Sequence, residues 1–326
     1  MPETDIQTGR AVEQYTDLDD TRRIPILFVA GTSFCGSTLL SFLLNAHPDM
    51  VCVGEETGPI PSRRHQPDFP CSCGEPIPKC PFWSEVTLRM NARGYDFGHD
   101  RFNVHFFLGN GRWSNQLLSR SLRNNLADDI RDGLVACLPV YGSRLSVIRA
   151  RNLAMMRSIL EATGKKVFAS GQKDPIRAWQ LAKLPGVDLK VVHLIRNSCG
   201  FVSSTMKNGG NSLSVGVRDW NRNAGHVERL FARLGPQRCM RIRYEDLCTD
   251  VEGTLAKLAR FAGLEPMKGP VNFRETAHHV IGNRMRLQSS SEVRLDESWR
   301  ERLTPDQIDE IKRRTRYYRA KYGYED

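Results

Sequence analysis

The stretch that decides the fold is Gly31-Thr32-Ser33-Phe34-Cys35-Gly36-Ser37-Thr38. Its two glycines are separated by four residues, the skeleton of a phosphate-binding loop. An apolar run at residues 24–30 precedes it, and residues 37–46 follow with leucines at helical spacing. Such a strand, loop and helix place backbone N–H groups and a helix N-terminus around an anion. The stretch therefore predicts a phosphate site formed by six residues: Ser33, Phe34, Cys35, Gly36, Ser37 and Thr38.

The loop also indicates which phosphate compound it binds. Ser37 stands where the loop of an NTPase carries a lysine that reaches the β- and γ-phosphates. Its absence argues against an ATPase or a kinase. A ligand with fewer terminal charges and no obligatory magnesium, such as a 5′-phosphosulfate, suits the loop better. The alternative is a glycine-rich turn that binds no ligand.

The same alternation of strand and helix returns along the chain. Further strands are predicted at residues 50–53, 166–170, 189–195 and 238–243, and further helices at 175–184, 198–207 and 251–262. Parallel strands need crossover connections, which are usually helices. The pattern therefore predicts an α/β, three-layer P-loop-like fold whose central parallel sheet is flanked by helices, with ligands bound at the carboxyl ends of the strands.

The domain organisation follows from composition. Residues 1–22 are polar and read as a flexible leader, and residues 23–326 are predicted to form a single domain. Residues 59–163 interrupt the alternation with a Pro- and Cys-rich loop and mostly helical segments, so we expect an inserted lid on the acceptor side. A closing helix is predicted at residues 304–322, with Thr304 and Gln307 forming a capping box.

Charge and cysteine usage limit the function classes. The chain has 47 Lys and Arg against 37 Asp and Glu, a net charge of +10 that favours anionic ligands. No basic run, zinc-finger spacing or aromatic RNA motif indicates nucleic acid, and no apolar stretch near residue 24 is long enough for membrane insertion. Nine scattered cysteines fit a reducing compartment. The sequence therefore predicts a cytoplasmic protein.

Several further segments carry a family resemblance together with the loop. In chain order they are Gly36-Ser37-Thr38-Leu39-Leu40, His47-Pro48-Asp49, Gly54-Glu55-Glu56-Thr57, Lys173-Asp174-Pro175, Arg196 with Ser204, Arg243-Tyr244-Glu245-Asp246-Leu247 and Gly282-Asn283-Arg284-Met285-Arg286. This series resembles sulfotransferases that use 3′-phosphoadenosine 5′-phosphosulfate (PAPS), and is especially similar to tyrosylprotein sulfotransferases. The resemblance covers about residues 24–300. It implies transfer of a sulfonate group from PAPS to a hydroxyl, with no metal required.

The resemblance also assigns residues to the donor. Arg196 and Ser204 match the pair that binds the 3′-phosphate of PAPS, and Lys207 can add charge there. Lys173 matches the residue that stabilises negative charge on the transferred sulfonate and the leaving phosphate. A late loop is expected to close over the 3′-phosphate, with Tyr244 packing near the phosphate-binding loop. The residues assigned to the late loop are Asn283, Arg284 and Arg286.

The residue that acts as the base and the source of one cation each have more than one candidate. Glu56 matches the family residue that takes the proton of the acceptor hydroxyl. Because one residue is inserted at Val53, Glu55 is the alternative. Phe34 stands where the family usually has Arg or Lys, so the missing cation is supplied by Lys173 alone or by a lid arginine, or the enzyme is slow or inactive. The two candidate lid arginines are Arg63 and Arg112.

Three questions stay open at this stage. Cys71, Cys73 and Cys80 could bind zinc with Cys52 or His65, although a structural or redox-sensitive loop is the preferred interpretation because Cys-x-Cys is not the usual zinc spacing. The acceptor could be a small molecule, a carbohydrate, a lipid or a tyrosyl group. The rival functions are a P-loop kinase of a nucleotide or small molecule, and a protein that binds PAPS or its product without turnover.

Overall fold

A parallel sheet forms the centre of the molecule. The computed structural model describes residues 23–58, 68–109, 111–119, 124–267, 269, 272–273, 278–282, 284–287 and 292–325. The strands are β1 Ile24–Gly31, β2 Met50–Cys52, β3 Val167–Lys173, β4 Val187–Ile195 and β5 Cys239–Arg243. They pair in the order β2-β3-β1-β4-β5, and every pairing is parallel. The predicted α/β fold class is confirmed.

Helices connect the strands and pack on both faces of the sheet. They are α1 Ser37–Asn45, α2 Pro81–Ala92, α3 Arg112–Ser119, α4 Asn125–Cys137, α5 Pro139–Thr163, α6 Pro175–Ala182, α7 Ser198–Gly209, α8 Leu213–Leu234, α9 Tyr244–Thr249, α10 Val251–Ala262, α11 Trp299–Arg302 and α12 Pro305–Lys321. Within the described helices, none has the length and apolar character needed to cross a membrane.

The central strand shows why the sheet is covered on both sides. Ile26 and Phe28 enter one apolar cluster, which includes residues of α2, α5, α6 and α8. Leu27 and Val29 enter a second cluster with residues of α1, α9 and α10. Successive side chains of a strand point to opposite faces, so a strand buried on both faces must be apolar throughout. This explains the continuous apolar run that precedes the loop.

The strand order determines where a ligand can bind. β1 lies between β3 and β4. The connection after β1 leads to β2 at one edge of the sheet, and the connection after β4 leads to β5 at the other edge. In open parallel sheets the crevice at such a switch point, at the carboxyl ends of the strands, is the usual ligand site. The loop after β1 therefore lies between Lys173, the last residue of β3, and Arg196, the first residue after β4.

Some elements differ from the sequence expectation. β3 runs to Lys173 rather than ending at residue 170, and α8 was not identified from the sequence. The capping box of Thr304 and Gln307 is present at the start of α12. The described residues between β2 and β3 contain α2 to α5, while the leader at residues 1–22 lies outside the described residues. The division into a lid and a main domain stays a prediction.

Candidate active site at the carboxyl edge of the sheet

The loop after β1 has an unusual backbone. Phe34 has φ of 60° and Gly36 has φ of 91°, both in the left-handed region. Gly36 is also tightly packed, because a Cβ there would lie 2.5 Å from the ring of Tyr244. Helix α1 starts at the next residue with no side-chain cap and no acidic residue in its first turn. Its positive N-terminal end therefore faces the loop, as an anion site requires.

Arg196 joins the loop to α7. Its Nη1 donates to the backbone oxygen of Phe34 at 3.0 Å and to the Ser204 hydroxyl at 3.4 Å. Its guanidinium lies over the Tyr244 ring, 4.7 Å from the centroid. The predicted pair Arg196 and Ser204 is thus brought together beside the loop. Lys207, in contrast, is exposed in the last turn of α7.

The other edge of the Arg196 guanidinium meets an acid that the sequence analysis missed. Nη2 of Arg196 donates to the Asp296 carboxylate at 2.8 Å and to its backbone oxygen at 3.1 Å. Partial burial raises the pKa of Asp296, but hydrogen bonds from Ser298 and Arg196 outweigh it and lower this pKa to about 2. Asp296 lies 100 positions after its partner in the chain, so no local signal points to it.

The segment Arg243-Tyr244-Glu245-Asp246-Leu247 helps to hold the backbone next to Arg196. The backbone N–H of the next residue, Asn197, donates to Glu245 at 3.0 Å. The Tyr324 hydroxyl donates to the same carboxylate at 2.6 Å. Arg319 is almost fully buried and donates to Asn197 and to Ser198 at 3.3 Å each. These bonds fix the turn between β4 and α7 and so the position of the Arg196 side chain.

Lys173 lies on the opposite side of the loop. Its Nζ donates to Glu55 at 2.7 Å, and its φ is 70°. Asp174 caps α6 by accepting from the Ile176 N–H, with Pro175 in the first turn. Among the described residues, three that are not glycine have positive φ, and two of them, Phe34 and Lys173, are at this edge. Backbone strain of this kind is concentrated at functional sites.

Both cations act on the loop between them. Burial raises the pKa of the Cys35 thiol, whereas the charges of Lys173 and Arg196 oppose this rise. The Cys35 side chain is fully buried, so it senses the two cations from within the loop. Three residues were considered as the source of the cation that is absent at Phe34. Of these, Lys173 is thus near the loop. Arg63 lies outside the described residues, and so does the side chain of Arg112.

The two candidate bases have different surroundings. The Glu55 side chain is 32% exposed and pairs with Lys173. The Glu56 side chain is 0% exposed, and its Oε1 accepts from Ser170 at 2.7 Å and from Arg177 at 3.0 Å. Its Oε2 is buried and has no hydrogen-bond partner within the described part of the chain. Accessibility thus separates two carboxylates that the sequence analysis could not.

Arg177 is a second residue that the sequence analysis missed. Besides Glu56, it donates to the backbone oxygen of Val104 at 2.8 Å and to Asn152 at 2.7 Å. Val104 and Asn152 both belong to the region between β2 and β3. Glu56 and Arg177 therefore join the sheet edge to that region through buried bonds.

The late loop is described only in part. Asn283 lies outside the described residues, as do the side chains of Arg284 and Arg286, which belong to a 3-10 turn at Arg284–Leu287. The backbone before this turn lies against α1, since a Cβ on Gly282 would lie 3.4 Å from the Thr38 hydroxyl. The late loop thus begins beside the phosphate-binding loop.

Comparison with known proteins finds similarity to sulfotransferases in the part of the chain that forms three of the strands. A model of the sulfotransferase family matches residues 148–268, which include β3, β4 and β5. The predicted resemblance to the sulfotransferases is confirmed. A solved sulfotransferase domain from the curacin biosynthetic pathway superimposes with a TM-score of 0.50 and 16% identity, over 94% of this chain and 99% of that one. At this identity, the likeness concerns the fold.

A sequence relative is also found among characterised proteins. Protein-tyrosine sulfotransferase 1 of Rattus norvegicus is 35% identical over 60 residues, which are 18% of this chain. The matched stretch spans only 16% of the rat protein's length. The similarity to the sulfotransferases therefore concerns part of the sequence and the fold, and activity and acceptor are questions for the site.

Proposed function

We propose that the protein transfers a sulfonate group from PAPS to a hydroxyl compound. One observation carries the proposal: an anion-binding loop lies between two cations, Lys173 and Arg196, placed at the ends of the strands on either side. PAPS has two separated anionic groups, a 5′-phosphosulfate and a 3′-phosphate. The loop and Lys173 suit the first group, and Arg196 with Ser204 suits the second.

The transfer step follows from this placement. The acceptor oxygen attacks sulfur, an oxygen–sulfur bond forms, and the bond from sulfur to the bridging oxygen of the 5′-phosphate breaks. The loop N–H groups and the Lys173 ammonium stabilise the charge that develops on the sulfonate and the leaving phosphate. The acceptor proton passes to a carboxylate, and the products are the sulfated acceptor and adenosine 3′,5′-bisphosphate (PAP).

We propose Glu55 as the base, which reverses the preference for Glu56 drawn from the sequence. A base must come within hydrogen-bond reach of the acceptor hydroxyl. Glu55 is partly exposed beside Lys173, whereas Glu56 is buried against Arg177. Glu55→Gln should lower kcat about 100-fold or more while PAP affinity is kept. The opposite assignment holds if Glu56→Gln, still folded and still binding PAP, shows the larger loss of kcat.

The donor site is tested by calorimetric titration with PAP, beside ATP with magnesium. We expect micromolar binding of PAP, weakened at least tenfold in Arg196→Ala. Arg218→Ala is the matched control, because the Arg218 side chain is 66% exposed and, within the described residues, pairs with its neighbour Asp219 at 3.7 Å. Preference for ATP with magnesium would overturn the sulfotransferase proposal and favour the kinase.

Turnover separates an enzyme from a protein that only binds the donor. PAP release from PAPS is measured in the presence of small-molecule, carbohydrate, lipid and tyrosyl-peptide hydroxyls. Release that depends on one acceptor class supports transfer and identifies that class. Binding of PAP with no release for any class supports the donor-binding alternative, for which Phe34 is the motivation. A cytoplasmic location stays a proposal based on the nine scattered cysteines.

A further inference from the structure

Three thiols converge at the start of the region between β2 and β3. A tight turn brings two of them together: the Cys71 N–H donates to the Glu75 oxygen at 2.8 Å, and Gly74, with φ of 94°, donates to the Cys71 oxygen at 3.1 Å. The Cys73 sulfur lies 3.6 Å from that of Cys80, the residue just before α2.

A histidine from the distant end of the chain completes the group. His279 Nδ1 lies 3.2 Å from the Cys80 sulfur and 3.8 Å from the Cys71 sulfur. The four potential ligand atoms all lie within 4.8 Å of one another. The imidazole is stacked on the Phe82 ring, with centroids 4.7 Å apart and planes 9° apart. Its Nδ1 is thereby directed to the sulfur atoms.

Ser72 fixes the backbone on both sides of this histidine. Its hydroxyl donates to the His278 oxygen at 2.8 Å and accepts from the Val280 N–H at 2.7 Å. Ser72 thus points away from the two cysteines that flank it in sequence and binds the segment that carries the imidazole. Cys71 and Cys80 are fully buried. Hydrophobic packing alone would not direct three thiols and a ring nitrogen to one point.

We propose that one structural zinc ion is bound by four side chains: Cys71, Cys73, Cys80 and His279. Zinc prefers tetrahedral sets of cysteine sulfur and histidine nitrogen, and Zn–S bonds of about 2.3 Å imply separations of about 3.8 Å between ligand atoms. The separations of 3.8 Å from Cys71 to His279 and 3.6 Å from Cys73 to Cys80 match this value, and that of 3.2 Å from Cys80 to His279 is shorter. Four protein ligands close the coordination sphere, which is the arrangement of structural sites. Each bound thiol releases its proton to solvent.

This ligand set differs from the one considered from the sequence. Cys52 lies in β2 and donates its backbone N–H to Asn45, in the part of the core between the sheet and α1. His65 is outside the described residues. His279 lies 199 positions beyond Cys80, so sequence spacing gives no reason to pair them.

The zinc ion would fix the inserted region to the catalytic edge. Ile281, two residues after His279, donates its N–H to the Val53 oxygen and accepts from the Glu55 N–H, each at 2.8 Å. The metal therefore joins the turn at Cys71 to the segment that positions Glu55. It is a positioning element and takes no part in the transfer itself.

The experiment measures zinc in full-length protein purified without metal-affinity resin and washed with EDTA. We expect about one zinc per chain by elemental analysis, and a lower melting temperature after a strong zinc chelator. Cobalt incorporated during expression should give the visible bands of tetrahedral Co²⁺ with sulfur-to-cobalt charge transfer in the near ultraviolet. Each of Cys73→Ser and His279→Ala should lose most of the zinc, while Cys137→Ser, at an exposed cysteine outside the group, should keep it.

Three results would overturn the proposal. The first is wild-type protein that is folded, contains no zinc and takes up none from zinc chloride. The second is a Cys73–Cys80 disulfide in peptides from non-reduced protein. The third is unchanged zinc content in His279→Ala. Because zinc is measured directly in the wild-type protein, the test holds even if a variant fails to fold. PAP binding is measured in the same samples, so a failed donor site is distinguishable from a failed zinc site.

Discussion

The carboxyl edge of the sheet and the region between β2 and β3, which is the predicted insertion, are stabilised in different ways. At the edge, the loop and the strand ends are held by sheet pairing, by helix N-termini and by local caps such as Asp174. In the insertion, residues 101–108 have no regular structure, and their backbone oxygens are bound by long side chains. Arg151 binds the Phe102 oxygen at 2.9 Å, and Arg144 binds the Leu108 oxygen at 2.7 Å.

The surfaces of the two regions differ as well. Large exposed apolar side chains are concentrated in the insertion, and α4 carries three of them at helical spacing, Leu126, Ile130 and Leu134. The described strands contribute none to this group. At the sheet edge, side-chain bonds over long sequence distances, such as that of Arg196 to Asp296, add to a backbone frame that sheet pairing and local caps already hold. Long-range side-chain bonds make the stability of the insertion depend on single arginines. Substitution of these arginines tests the comparison.

The largest effect is expected at the junction of the two regions. Arg177→Met leaves the buried Glu56 carboxylate without its cation and removes the bond to Val104. We expect the free energy of unfolding in urea to fall by about 3–5 kcal/mol. Arg101→Met, at a side chain 54% exposed, should cost less than about 1 kcal/mol. Combining Arg177→Met with Glu56→Gln should restore part of the loss, and equal losses for Arg177→Met and Arg101→Met would contradict the comparison.

A catalytic effect without a stability effect is expected at Lys173. Lys173→Met removes the cation beside the loop, while its partner Glu55 stays partly exposed and can be solvated. We expect kcat to fall by about 100- to 1,000-fold, measured as PAP release with the acceptor found by the screen. PAP should also bind more weakly, because the 5′-phosphate that Lys173 stabilises stays on the spent donor. An unchanged kcat would mean that another residue supplies the charge.

A smaller loss of stability is expected within the insertion. Arg144→Met keeps the aliphatic packing but removes the bond to the Leu108 oxygen. The free energy of unfolding should fall by about 1–2 kcal/mol, with kcat nearly unchanged. Arg218→Met on the exposed side of α8 is the control. If Arg144→Met costs no more than this control, arginine bonds do not stabilise the insertion.

The smallest effect is expected beside the proposed 3′-phosphate site. Asp296→Asn keeps a hydrogen-bonding side chain near Arg196 but removes a negative charge where the phosphate would bind. PAP should bind about two- to fivefold more tightly in low salt, and the gain should shrink as salt screens the charge. Calorimetry at two salt concentrations measures this. Weaker binding in the variant would instead assign Asp296 the task of orienting Arg196.

Much of the donor side could be predicted because its signals are local. The loop at Gly31–Thr38, the cap at Asp174 and the strand end before Arg196 are each encoded by neighbouring residues. The sheet, its helices and the meeting of Arg196 with Ser204 follow from such signals. The domain boundary of the insertion and the roles of the site residues remain predictions.

The rest could not be predicted because its partners are far apart in sequence. Nothing near Glu56 indicates that Arg177 neutralises it, and nothing near Arg196 indicates Asp296. His279 was missed for the same reason, although its three cysteines were noticed. Helix α8 was missed because its first turns are polar and glycine-containing, while its apolar face is set by packing on the sheet and α12.

The position of β1 has a consequence for synthesis on the ribosome. Ile26 pairs with Phe168 in β3, and Ile24 pairs with Val187 in β4, so both partners of this strand emerge long after it. At about 5–20 residues per second, the delay is on the order of ten seconds. During this time an apolar strand with two unpaired edges is exposed on the nascent chain. Slower translation, or loss of a chaperone that covers β1, should therefore reduce the yield of folded protein even when every residue of the site is unchanged.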